Sequence, residues 1–241
     1  MGIEPGDEVV TVANSFIATV WAIAAVGATP VMVDIGNDLN IDPVAVENAI
    51  SDRTRAIISV HLAGNPAQLD DINRIAERHG LIHIEDAAQA IGAEYNRRKV
   101  GPGSLIAAFS LHPLKNLGVW GDGGFVVTNS DQVNVALKSL RNHGLINRDS
   151  VGEWGYNSRL DAFQAIVASV RLAKLDGLND RRREIANFYK ENLRDLLEFQ
   201  YIHGVARPVF HNCIALIDAE WRDELIIFAA SKGVELKVHY P

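Results

Sequence analysis

Short apolar runs that alternate with helical stretches constrain this chain more than any other feature of its sequence. Residues 8–12 read as a strand and residues 16–26 as a helix. Residues 30–33 are predicted to be a short buried strand. Asp42-Pro43 opens a helix to residue 50, with the aspartate as N-cap and the proline in the first helical position. Residues 56–60 read as a strand, and residues 69–79 as a helix stopped by Gly80. Residues 81–85, 105–110 and 124–128 read as further strands, and residues 131–142 as a helix ending at Gly144. Strands and helices interleaved at this spacing predict an α/β fold, three layers deep, around a mostly parallel sheet.

The pattern changes after residue 158. Residues 159–175 and 178–197 read as two long helices with little between them. Strand-like pieces at 213–217 and 234–238 then flank a helix over 222–231. The expected organisation is a large domain over residues 1–175, followed by a linking helix and part of a small α/β domain over residues 176–241.

Composition narrows the function classes. Of the 241 residues, 48% are hydrophobic and 22% charged, which is ordinary globular usage. Lys+Arg 23 against Asp+Glu 30 gives a net charge of −7, so no global attraction draws the chain to nucleic acid or an anionic membrane. The apolar stretch at residues 16–26 is broken by Thr19 and is too short to span a bilayer. The first residues carry neither a basic n-region nor an apolar h-region. The single cysteine, Cys213, fits a reducing compartment, and the expected location is cytoplasmic. Cys213 lies in an apolar run and reads as a small core residue rather than a nucleophile. The histidines show no metal-ligand spacing, and no metal is expected.

In open α/β sheets, ligands gather at the carboxyl ends of the strands. Three such ends carry polar groups: Asn14-Ser15-Phe16, Glu85-Asp86-Ala87-Ala88-Gln89, and Ser110-Leu111-His112-Pro113-Leu114-Lys115-Asn116. Asp86 reads either as an N-cap for a helix from Ala87 or as a buried carboxylate that needs a cation. Lys115, between Pro113 and Gly118, reads either as a surface charge or as a functional amine. Arg97-Arg98-Lys99 and Arg181-Arg182-Arg183 are basic runs that fit a solvated surface better than a nucleotide site.

Together these places resemble a known family. Pro5-Gly6-Asp7-Glu8-Val9, Gly27-Ala28-Thr29-Pro30-Val31, Ile84-Glu85-Asp86-Ala87-Ala88-Gln89-Ala90, Phe109-Ser110-Leu111-His112-Pro113-Leu114-Lys115-Asn116, Gly121-Asp122-Gly123-Gly124, Arg141-Asn142-His143-Gly144, Gly155-Tyr156-Asn157-Ser158-Arg159 and His239-Tyr240-Pro241 match, in order and spacing, the DegT/DnrJ/EryC1/StrS sugar aminotransferases. These are pyridoxal-phosphate enzymes of fold type I. The resemblance implies that Lys115 is the Schiff-base lysine, which also moves the proton. It implies that Asp86 partners the pyridine nitrogen, that Gln89, one helical turn on from Asp86, contacts the cofactor, that Phe16 stacks on its ring, and that Ser110 donates to its phosphate. It further implies that Asn157 reaches that phosphate from the neighbouring subunit of a homodimer. Arg159, His61 and His143 are weaker candidates for substrate or cofactor contact, and Tyr240 is weaker still.

The implied reaction transfers an amino group, with glutamate as donor, through the pyridoxamine form of the cofactor to a keto-sugar, typically nucleotide-linked. The alternatives are a sugar dehydratase of the same family, in which histidine replaces the lysine, and a non-catalytic module on the same fold. The family also carries a segment before the equivalent of Gly2, with a Gly-Thr-Ala/Ser turn that supplies phosphate donors, and continues past the His239-Tyr240-Pro241 match. The chain is therefore expected to be an internal piece that binds pyridoxal phosphate weakly or not at all.

Overall fold

The computed structural model describes residues 2–240; Met1 and Pro241, the last residue of one matched motif, lie outside it. Six strands form the central sheet: β1 (Glu8–Val12), β2 (Thr29–Val33), β3 (Thr54–Val60), β4 (Ile82–Asp86), β5 (Ile106–Ser110) and β6 (Gly124–Val127). Their order is β2-β1-β3-β4-β5-β6. Every pairing is parallel except β5 with β6. The intervening helices are α1 (Ile17–Ala25), α2 (Pro43–Ala49) and α3 (Leu69–His79), followed by α4 (Asp131–Leu140), α5 (Ala162–Leu172), α6 (Leu175–Leu193) and α7 (Ala219–Ser231).

The strand order fixes where the helices lie. The chain steps one way from β1 to β2 and the opposite way from β2 through β3 to β4. Right-handed crossovers then put α1 on one face of the sheet and α2 and α3 on the other. The buried side chains agree. Val10, Val12 and Ile57 pack with Val46 of α2 and Ile72, Ile75 and Ala76 of α3. Val9, Ala56 and Ile58 point the other way, to Ile23 of α1. A third cluster joins Ala107 and Phe109 of β5 to Leu175 of α6 and Val209. The result is the expected three-layer α/β/α arrangement around a mostly parallel sheet.

Local sequence explains the helix boundaries. The Val44 N–H donates to Asp42 Oδ1 at 2.9 Å, so Asp42 caps α2 with Pro43 next in line. Gly80 ends α3 in the left-handed region, with Asp70 and Asp71 in the first turn and Arg78 and His79 in the last, complementing the helix dipole.

Several expectations are corrected. Strand β2 is an exposed edge rather than a buried strand: Met32 is 58% exposed, and Pro30 is tolerated because an edge has no second neighbour to bond. Residues 234–238 form no strand. Residues 213–217 shrink to Ala215–Leu216, paired antiparallel with Glu198–Phe199. Cys213 stands at this short margin and is exposed, not in the core. The chain after Asp86 runs as turns, so neither a helix from Ala87 nor a helical relation between Asp86 and Gln89 exists. Among the described residues no helix is long and apolar enough to cross a membrane. The Arg181-Arg182-Arg183 run is tied into the fold. Arg181 pairs with Glu184, Arg183 pairs with Asp180 and donates to the Pro208 carbonyl, and Arg182 donates to the Phe210 and His211 carbonyls.

Strand β4 alternates in chemistry as well as in direction. Ile82, Ile84 and Asp86 face α1, and His83 and Glu85 face α3. His83 lies between Ser59 Oγ (2.8 Å) and Asn73 Oδ1 (2.6 Å). Burial pushes it down to about 4. Burial alone would raise Glu85, but the hydrogen bond from His61 pulls it down to about 2. In the unfolded chain both revert to ordinary values. Between pH 6.5 and about 4 the unfolded chain takes up a proton that folded His83 refuses, so stability falls as the pH drops through that window. Glu85 extends the fall from 4.5 to about 2. In urea unfolding measured across this range, His83→Asn is expected to reduce the slope of stability with pH between 6 and 5 by about 1.2 kcal/mol per pH unit. An unchanged slope would contradict the buried, neutral His83.

Candidate active site

The carboxyl edge of the sheet collects the polar groups. Asp86 is the last residue of β4. Its Oδ1 accepts from the Ala88 N–H at 3.1 Å, and its Oδ2 accepts from the Thr19 hydroxyl of α1 at 2.7 Å. Ser15 Oγ lies 2.9 Å behind Thr19 Oγ1. Because the Thr19 proton goes to a carboxylate, the proton in the Ser15–Thr19 bond comes from Ser15. Sequence reasoning missed Thr19 and took it only as a break in an apolar run. No sequence signal marked it: nearly every residue of α1 is apolar, and only the fold shows that Thr19 and Ile23, four residues apart, share its buried face.

Phe16 precedes α1 and is 57% exposed, with its ring 6.3 Å from the ring of Tyr240. Tyr240 accepts a 2.7 Å hydrogen bond from Gln89 Nε2. Gln89 Oε1 accepts in turn from the Ala63 N–H at 2.6 Å. Ala63 has φ 58°, a left-handed conformation that a non-glycine residue holds only when its surroundings over-determine it. Gln89 thus reaches the site from a turn, braced on both sides.

Lys115 sits in the loop that leaves β5. Leu111 N–H donates to the Gly123 carbonyl and Val119 N–H to the Leu111 carbonyl, both at 2.8 Å, closing the base of the loop. Within it Lys115 N–H donates to the His112 carbonyl, and His112 N–H donates to Ser110 Oγ at 3.2 Å. Asn116, buried beside Lys115, donates to Asn179 Oδ1 of α6 at 2.8 Å and to the Val209 carbonyl at 3.0 Å. Among the described residues Lys115 Nζ has no hydrogen-bond partner. Burial lowers its pKa, and the charge of Asp86 partly opposes this. The same cation acts on its neighbours. Burial first, then Lys115, then Arg182 push His211 down to about 3, and burial followed by Lys115 lowers His239.

The structure therefore brings Asp86, Lys115, Gln89, Phe16 and Tyr240 to one edge, with Ser110 at the root of the Lys115 loop. It does not bring Asn157 there. Asn157 is exposed, bridges to Asn142 and accepts from Arg159 Nε at 3.0 Å. His61 lies on the opposite face, fully buried. Its Nδ1 accepts from the Ala67 N–H at 3.1 Å, so Nε2 carries the proton given to Glu85 Oε2 at 2.9 Å. His61 is a packed residue, out of reach of a ligand. His143 is exposed, with φ 62°.

The Lys115 loop depends on Gly118, where a Cβ would stand 2.2 Å from the Pro113 carbonyl oxygen. That atom is backbone and cannot yield without moving the lysine. Gly118→Ala is expected to destabilise the protein by about 3 kcal/mol in chemical denaturation. A loss within about 0.5 kcal/mol would contradict the tight loop.

Comparison with known proteins addresses the family and the fold. The model of the DegT/DnrJ/EryC1/StrS aminotransferase family matches residues 1–241. The chain is 44% identical over 244 residues to the dTDP-3-amino-3,4,6-trideoxy-alpha-D-glucose transaminase of Streptomyces venezuelae, covering all of this chain and 64% of the relative. It superimposes with a TM-score of 0.96 on the crystal structure of S. venezuelae DesV in complex with a ketimine intermediate, at 44% identity, over 100% of this chain and 65% of that one. It also matches the ntda protein of Bacillus subtilis with bound cofactor PMP, at 32% identity and a TM-score of 0.91, over 100% of this chain and 56% of that one. The chain thus spans less than two thirds of the length of these relatives. Sequence and fold agree along its whole extent: the chain belongs to the DegT/DnrJ/EryC1/StrS aminotransferase family.

Proposed function

We propose that a protein carrying this chain is a pyridoxal-phosphate-dependent aminotransferase that moves an amino group from glutamate to a nucleotide-linked keto-sugar. One observation carries the reading. A part-buried lysine of lowered basicity, with no hydrogen-bond partner among the described residues, stands under the charge of a carboxylate held by two donors. The donor set fits the cofactor: Asp86 for the ring nitrogen, the exposed face of Phe16 for the ring, Gln89 beside it, and the Ser110 hydroxyl for the phosphate. The names of the relatives, a dTDP-sugar transaminase and a PMP-bound protein, point the same way.

Pyridoxal phosphate, when bound, supplies an electron sink that allows an amino group to be exchanged for a carbonyl. The chain's own groups do the rest. Lys115 Nζ, made less basic by burial, would act as the nucleophile and carry a proton to and from the substrate carbon. Asp86 presents a fixed negative charge at the mouth of the sheet. Phe16, with its ring exposed, offers a flat apolar face on which the cofactor ring would stack. Asn157, exposed beside Arg159, fits a contribution from a partner subunit. The exposed apolar side chains of α1 (Ile17, Trp21) and α5 (Phe163, Ile166, Val170) suit a homodimer. We place the large domain at residues 1–175 and the linking helix and small domain after it, a boundary one residue into α6. The lone cysteine favours the cytoplasm.

The lysine at position 115 favours transamination over dehydration, for which the family uses histidine. A transamination assay with glutamate and a panel of nucleotide-linked keto-sugars tests the reading. Amination of at least one sugar is expected, with a loss of about a thousandfold or more in kcat for Lys115→Ala. Dehydration without amination, or full turnover in Lys115→Ala, would overturn it.

A further inference from the structure

The Thr19 hydroxyl, a group no sequence motif singled out, makes a direct side-chain bond to the Asp86 carboxylate at 2.7 Å and is itself 4% exposed. It bridges two layers, because α1 and β4 are far apart in sequence and meet only here through polar groups. Ser15 stands behind it at 2.9 Å, immediately before Phe16. The two hydroxyls therefore link the aromatic edge of the site to its carboxylate. Without Thr19, Asp86 keeps only the Ala88 N–H, and its Oδ2 is free to swing about the Cβ–Cγ bond.

We propose that Thr19 is a positioning residue: its hydroxyl, oriented by Ser15, holds the Asp86 carboxylate in the plane and direction needed to meet the protonated ring nitrogen of the cofactor. This rests on the reading of Asp86 as the partner of that nitrogen. The contact acts on one atom of the cofactor and on no other. Thr19 governs cofactor affinity through Asp86 alone, and serine in its place keeps the function because it keeps the hydroxyl.

Spectroscopic titration of the apoprotein with pyridoxal phosphate, and with an analogue carrying carbon in place of the ring nitrogen, separates this role from a packing role. Thr19→Val, nearly the same shape without the donor, is expected to weaken pyridoxal phosphate about tenfold, the size of one lost charge-assisted hydrogen bond. It is expected to leave the affinity for the analogue unchanged, and Thr19→Ser is expected to stay within about twofold of the parent. Equal weakening of both ligands, or no change in either while Asp86→Asn weakens pyridoxal phosphate, would overturn the proposal. If Asp86→Asn itself leaves pyridoxal phosphate binding unchanged, the reading of Asp86 fails, a result distinct from failure of Thr19. Should Thr19→Val not fold, Ser15→Ala carries the test. A loss of about threefold for pyridoxal phosphate alone supports the proposal, and parent affinity for both ligands overturns it.

Discussion

The carboxylate of Asp86 and its two donors organise this end of the molecule. A carboxylate at the mouth of a sheet loses part of its hydration and needs donors in place of water. Here the backbone of Ala88 takes one oxygen and Thr19 takes the other. That arrangement joins the carboxyl edge of β4 to α1, sets Phe16 beside it, and places a carboxylate whose charge is felt at Lys115. The lysine in turn lies in a loop closed at its base by backbone hydrogen bonds and tied to α6 through Asn116 and Asn179. The carboxylate is held by hydrogen bonds and the lysine by the backbone of its loop, so two different elements of the fold bring the pair together.

The opposite face of β4 shows the same strand used differently. There His83 and Glu85 are buried among Ser59, Asn73, His61 and the Gly101 N–H, and they serve packing and polar satisfaction. Alternation along five residues separates a carboxylate bonded to α1 from one packed on the opposite face, next to it in sequence. Glu85 and Asp86 differ in role because they point to different layers, one toward α3 and the other toward α1.

Much of this was legible in the sequence for physical reasons. The α3 boundaries follow from the αL glycine at position 80 and from charges that match the helix dipole, and both act locally. The interleaving of strand and helix determines the layers, and the carboxyl-end rule locates Asp86 and Lys115. What was missed depends on non-local geometry. Thr19 faces Asp86 only because the strand order places α1 on the face to which Asp86 points, and no local pattern encodes that. Gln89 was expected one helical turn from Asp86. It reaches the site from a turn instead, although Asp86 Oδ1 accepts from the Ala88 N–H as a helix cap would. The strand expected at 234–238 has the right residues but no partner among those described, and a strand without a partner leaves its backbone groups to water. Cys213 looked like core by its neighbours in sequence, yet the short pairing of Ala215–Leu216 leaves it at an exposed margin.

The central claim is that Lys115 is the amine that holds the cofactor, with Asp86 opposite. It is tested most directly by reducing the pyridoxal-phosphate-loaded protein with borohydride and mapping the peptides by mass spectrometry. The expected result is a single pyridoxyl group on Lys115, lost in Lys115→Ala. A label on another lysine, or no label in protein that demonstrably binds the cofactor, would contradict it.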